Sequence, residues 1–209
     1  MIDSIIFDLD GTLWDACEST CKSWNLTLEK YNDVTKKMTI EDLKSIMGLV
    51  IEDVAKKLLP EVSFERALEI AKKCCEEECG YICENGADIF EGLEDVLKQV
   101  SKDYKLFIVS NCQKGYIESF FICSHFSIYF KDFECSGNTG LAKAENIQLI
   151  VERNGLSAPV YVGDTMGDYK ACEKAKVPFI HAKYGFGMVP EGTNYINDIR
   201  ELPDAIKEL

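Results

Sequence analysis

The stretch Ser4-Ile5-Ile6-Phe7-Asp8-Leu9-Asp10-Gly11-Thr12 decides the fold. A short apolar run, Ser4 to Leu9, that breaks into carboxylates and a glycine suits a strand buried on both faces of a parallel sheet. The pattern recurs downstream. Leu106 to Val109 ends at Ser110-Asn111, Val160 to Val162 ends at Gly163-Asp164, and Pro178 to Ile180 follows Val177. Helical periodicity fills the intervals at Leu93 to Val100, Tyr116 to Phe121, Ala144 to Asn154 and Tyr169 to Ala175. Strand alternating with helix predicts an α/β fold with a Rossmann-like, doubly wound parallel sheet.

One block breaks that rhythm. From Trp14 to Asn85 the signals are all helical. Thr39-Ile40-Glu41-Asp42 opens a helix with acids in its first turn, and Ser63 caps a long amphipathic run that extends from Arg66 to Cys83. Gly48 and Pro60 punctuate the block. The expected organisation is a core of residues 1–13 and 86–209, interrupted by an all-helical cap of residues 14–85. Trp14-Asp15 and Glu84 to Asp88 mark the two crossings. Trp14 is expected either to face substrate or to pack into the cap–core seam.

Composition narrows the function. The 209 residues are 46% hydrophobic and 28% charged, with a net charge of −13. That acidity argues against nucleic acid, whose phosphates require clustered Lys and Arg. No window approaches the roughly 20 apolar residues of a membrane span, and no segment resembles an export signal. The ten cysteines are therefore expected to be reduced thiols of a cytoplasmic protein. Cys75, Cys79 and Cys83 recur every four residues and share one helix face, as a buried stripe of small soft side chains does.

In an open parallel sheet, ligands bind beyond the carboxyl ends of the strands. Asp8 and Asp10, Ser110, and Asp164 with Asp168 all lie at such ends. If the strands are neighbours, these groups converge, and several carboxylates in one crevice call for a hard cation with oxygen ligands, most plausibly Mg²⁺. Each residue alone is equally well explained as a helix cap or a turn residue. The cluster as a whole is not.

Asp8-Leu9-Asp10-Gly11-Thr12 resembles the DxDGT signature of the haloacid dehalogenase-like hydrolase superfamily. Ser110-Asn111 resembles its second motif, Lys143 its third-motif lysine, and Gly163-Asp164-Thr165-Met166-Gly167-Asp168 its fourth, GDxxxD. The helical block resembles the cap of the phosphoglycolate phosphatase-like branch. The resemblance implies a Mg²⁺-dependent phosphatase acting on a small phosphorylated metabolite. Asp8 would be the nucleophile and Asp10 the general acid and base. Ser110, Asn111 and Lys143 would hold phosphate. Asp8, the Asp10 carbonyl, Asp164 and Asp168 would hold the metal, with Gly11, Thr12 and Gly163 supporting. Lys143, rather than Lys105, Lys114 or Lys131, is singled out by its place before the helix near Ala144. Asp10 speaks against dehalogenation, because the family's dehalogenases lack it. A phosphosugar mutase of the β-phosphoglucomutase kind, and a non-catalytic binding protein on the same fold, are the alternatives. The substrate, the cap residues that touch it and the oligomeric state stay open. Tyr184-Gly185-Phe186-Gly187 is read as a structural loop beside the crevice.

Overall fold

The computed structural model describes residues 2–209. The chain runs through β1 (Ser4–Phe7), β2 (Trp14–Asp15), α1 (Cys17–Leu28), α2 (Ile40–Lys44), α3 (Ile51–Leu58), α4 (Phe64–Asn85) and β3 (Asp88–Ile89). It continues through α5 (Leu93–Val100), β4 (Lys105–Ser110), α6 (Tyr116–Ser124), β5 (Phe130–Cys135), α7 (Ser136–Thr139) and α8 (Lys143–Asn154). The last elements are β6 (Pro159–Gly163), α9 (Met166–Ala175), β7 (Phe179–Ala182), β8 (Tyr195–Ile196) and α10 (Leu202–Ala205).

Six strands form one parallel sheet in the order β5-β4-β1-β6-β7-β8. The apolar runs take its centre because both of their faces are covered. Ile5 and Phe7 point into a cluster with Leu93, Leu97, Ile117 and Phe120 from α5 and α6. Ile6 points the other way, against Ile147 and Ile150 of α8 and Cys172 of α9. Burying one Ile or Phe of this kind contributes about 1.5–3 kcal/mol. The strand order reverses direction at β1, which sets the crevice at the carboxyl ends of β1, β4 and β6.

Helices α1–α4 form the inserted block and bury a core of their own around Trp24, Leu43, Leu58, Ile70 and Cys74. The Thr39 start is a full capping box with Asp42, and the Ser63 hydroxyl accepts from the Arg66 N–H. The cysteine stripe lies on α4. Cys75 is buried, whereas Cys79 and Cys83 are half-buried, and all ten thiols are free. Cys79 faces the core loop near Gly115.

The structure departs from the sequence reading in particulars. The first strand stops at Phe7, not Leu9. Strands β5 and β8 add to the sheet on its two flanks. The two crossings between core and insert pair as an antiparallel ribbon, Trp14 opposite Ile89 and Asp15 opposite Asp88. No helix among the described residues is long and apolar enough to cross a membrane.

Candidate active site

Asp8 follows directly on β1, and its N–H donates to the Val162 carbonyl of β6 at 2.8 Å. Its side chain is buried. Lys143, the first residue of α8, is also buried and reaches Asp8 Oδ1 at 3.0 Å and Asp168 Oδ1 at 2.5 Å. The two carboxylates hold the lysine's pKa well above its ordinary range, against the opposing effect of burial. Removing the lysine would leave the buried carboxylates uncompensated.

Carboxylate oxygens of Asp8, Asp164 and Asp168 lie within 4.8 Å of one another. Burial, and then the charge of Asp168, push the Asp8 carboxyl up to about 6. Burial and the charges of Asp168 and Asp8 push Asp164 up to about 8. Asp164 Oδ2 accepts the Phe186 N–H at 2.7 Å, but Oδ1 is buried with no hydrogen-bond partner. A buried, orphaned carboxylate oxygen beside a second carboxylate fits a hard divalent cation, which would satisfy the oxygen and relieve the repulsion. Asp168 differs. Burial raises its pKa, yet Lys143 and Thr165 outweigh that and hold it below the ordinary range. Its Oδ2 accepts from the Thr165 N–H at 2.9 Å and the hydroxyl at 2.6 Å, completing a capping box on α9. Asp168 thus braces Lys143 and the loop that carries Asp164.

Asp10 sits half-buried at the turn. Its Oδ1 accepts from Trp14 Nε1 at 2.9 Å and from the Tyr116 hydroxyl at 2.9 Å. Burial and the nearby Asp8 charge push its carboxyl up to about 8. Trp14 is fully buried in the seam, edge-on to Tyr116 and Phe120. Of its two expected places the structure takes the seam, and there the indole orients Asp10.

Gly11 has φ +76°, and a Cβ there would lie 2.3 Å from Asp164 Oδ2. A Cβ on Gly163 would lie 2.8 Å from Asp168 Cγ. Both positions need glycine for close approach to a carboxylate. Thr12 is fully buried, and its carbonyl accepts the Tyr184 hydroxyl at 2.8 Å. The 184–187 loop thereby clamps the turn after Asp8, and Asp164 with it.

Ser110 ends β4 and lines the same crevice as Asp8 and Asp10. Asn111 lines it too, but its side chain is engaged. Its amide donates to the Gly48 carbonyl of the insert at 2.8 Å, and its Oδ1 accepts from Ser136 at 3.0 Å. Sequence reasoning missed Tyr116, Gln113 and Glu78. Gln113 Nε2 donates to Glu78 on α4 at 2.9 Å, a second bond from the loop after β4 to the insert. Tyr116 opens α6 like any amphipathic aromatic, and no local signal pairs it with Asp10.

Fold and site together define an enzyme of the Rossmann-like α/β class, with carboxylates gathered at strand ends beside a helical insert. The chain belongs to the haloacid dehalogenase-like hydrolase family, whose profile matches residues 5–182. Among solved structures it is similar to a haloacid dehalogenase-like family hydrolase from Streptococcus pneumoniae, at TM-score 0.83 and 20% identity with 98% of each chain covered. It is also similar to a predicted phosphatase from Clostridium acetobutylicum, at TM-score 0.81 and 23% identity over 100% of both chains. A predicted phosphoglycolate phosphatase from Haemophilus somnus superposes at TM-score 0.82 and 18% identity over 98% of each. At these identities the likeness is one of fold. No curated protein matches the chain in sequence.

Proposed function

We propose that the protein is a Mg²⁺-dependent phosphatase, resembling the phosphoglycolate phosphatase-like branch in its inserted helical cap, that hydrolyses a small phosphate monoester through an aspartyl-phosphate on Asp8. The observation that carries this is the pairing of two differently tuned carboxyls at one turn. Asp8 is held beside Lys143, and Asp10, pushed up to about 8, is oriented by Trp14 and Tyr116. Different tuning of adjacent carboxyls is how one site supplies both a nucleophile and an acid.

Asp8, Asp164 and the Asp10 carbonyl would hold the cation, with Asp168 behind them. When bound, it neutralises charge between an anionic nucleophile and an anionic phosphate. Asp8 attacks phosphorus, and the ester P–O bond breaks. Asp10 gives its proton to the departing alkoxide, then takes one from the water that hydrolyses the acyl phosphate and restores Asp8. Ser110 and the main-chain N–H groups after it cradle the phosphoryl oxygens, joined by Lys143. Residues 14–85 act as the cap, excluding water from the first step and admitting it for the second. A cytoplasmic location belongs to the same proposal, in keeping with the free thiols.

The test is release of inorganic phosphate from a panel of phosphorylated metabolites and from p-nitrophenyl phosphate with Mg²⁺, together with intact-mass detection of the phosphoenzyme in acid-quenched samples. Absence of phosphate release from every member would overturn the proposal. Product isomerisation without phosphate release would make the protein a mutase.

The metal can be tested without turnover. At about 100 times its Kd, Mg²⁺ stabilises the fold by about 2.7 kcal/mol, which for a chain of this size is a Tm rise of roughly 5–11 °C. The rise should be larger at pH 8 than at pH 5.5. A carboxyl whose folded pKa is raised stabilises the metal-free fold at low pH, and that stability is lost as pH climbs through the folded value. For Asp164 the loss runs from about 4 to about 8. Mg²⁺ must displace that proton at the low end of the range and not at the high end. Scanning calorimetry of wild type and Asp164→Asn checks this. An equal rise in the variant would remove Asp164 from the metal site.

A further inference from the structure

A cavity of about 690 Å³ extends from Asp8 and Asp10 to the inserted helices. Its far wall is apolar and includes Trp24, Leu43, Ile46, Met47, Val50 and Val54. On that wall stands Glu78 of α4, the only buried charged side chain of residues 14–85 among the described residues. Glu78 Oε1 accepts from the Thr20 hydroxyl at 2.6 Å, and Oε2 accepts from Gln113 Nε2 at 2.9 Å and Trp24 Nε1 at 3.3 Å. Gln113 Nε2 and Trp24 Nε1 can only donate, so Oε2 accepts from both, and the three contacts oppose the burial that pushes the Glu78 carboxyl above its ordinary value. The cations on the lining are Lys72 and Lys114; both are exposed, as are the lining residues Glu52 and Glu76.

We infer that this chamber selects phosphate esters whose leaving group offers apolar surface and no negative charge, and that Glu78 is the residue that turns anionic leaving groups away. The inference rests on the phosphatase function proposed for the Asp8 site. A carboxylate entering the chamber would shed its water against apolar side chains and face Glu78 across a poorly screened gap. No buried cation of the insert waits to receive it. An uncharged organic group gains instead, in proportion to the apolar area it covers. The volume points the same way. It lies within the range of pockets that enclose drug-sized ligands and far exceeds what a two-carbon acid fills.

The experiment compares kcat/KM for 2-phosphoglycolate, for its amide, which has the same size without the charge, and for benzyl phosphate, all with Mg²⁺. The amide and the benzyl ester should each exceed phosphoglycolate by about tenfold or more. Glu78→Gln should narrow the amide-to-acid ratio by about tenfold, and the ratio cancels any effect of Glu78 on Asp10 common to both substrates. Glutamine can keep all three contacts, with its oxygen on Gln113 and Trp24 and its amide on Thr20. Phosphoglycolate turned over as well as its amide by the wild type would overturn the selection, whatever the variant does. An unchanged ratio in a folded Glu78→Gln would remove the role of Glu78. No turnover of any ester would take down the phosphatase proposal, and this inference with it, whereas preference for phosphoglycolate takes down this inference alone.

Discussion

Asp8→Asn is expected to abolish turnover while leaving the protein folded. The amide fits the same buried space but cannot form an acyl phosphate. Loss of the attacking group in covalent catalysts costs on the order of 10⁶-fold in kcat. The fold should tolerate the change because Asp8 is under strain in the metal-free state, where burial and Asp168 both oppose its charge. Lys143 keeps its shorter contact, the 2.5 Å pair with Asp168. Thermal denaturation should therefore show a Tm no lower than wild type by more than a few degrees, and acid-quenched samples should show no phosphoenzyme. A folded variant with wild-type turnover would mean that another group attacks phosphorus.

Asp10→Asn is expected to slow both chemical steps, by roughly 10² to 10⁴-fold, the usual contribution of a general acid or base. The structure makes this substitution clean. The asparagine carbonyl oxygen can accept the Trp14 and Tyr116 bonds that Oδ1 now accepts, so the side chain keeps its place and loses only its titrating proton. The loss should then depend on the leaving group. A nitrophenolate departs without protonation, whereas an alkoxide does not. Phosphorylation by p-nitrophenyl phosphate should suffer much less than phosphorylation by an alkyl ester. Dephosphorylation should slow equally, because both substrates give the same phosphoenzyme. Rapid-quench kinetics separate the steps. If the first step slows alike for both esters, Asp10 is not the acid.

The sequence was most legible where chemistry coincides with the end of a central strand. Asp8, Ser110 and Asp164 follow unbroken apolar runs, and burial of the sheet on both faces leaves such runs little choice. The GDxxxD spacing likewise fits the capping box in which Asp168 closes onto Thr165. Strand β5 was hidden because it is an edge. Phe130-Lys131-Asp132-Phe133-Glu134-Cys135 has no apolar run and breaks two-residue alternation at Lys131-Asp132, with ladder bonds to one neighbour only. Strands β2, β3 and β8 are two residues each, too short to carry any period. Glu78 was illegible for a different reason. On an amphipathic helix an acid reads as part of the solvated face, and its burial depends on Thr20 and Trp24 of α1 and Gln113 after β4, all distant in sequence. The bond from Tyr116 to Asp10 spans 106 positions and leaves no local trace.

The short ribbon of Trp14–Asp15 and Asp88–Ile89 has an evolutionary consequence. Because the insert leaves and re-enters the sheet through two strands lying side by side, roughly 5 Å apart as antiparallel neighbours are, the sheet meets it as it would meet a hairpin turn. Whatever is grafted beyond that stem must satisfy a hairpin's footprint and the loop after β4, as Gly48 and Glu78 do through Asn111 and Gln113. Selection can then enlarge, trim or repaint the graft to suit a new metabolite while the phosphoryl-transfer machinery beneath it stands still. Divergence of substrate and conservation of reaction thus become largely separate problems, joined at a stem of four residues and at the Asn111 and Gln113 bonds.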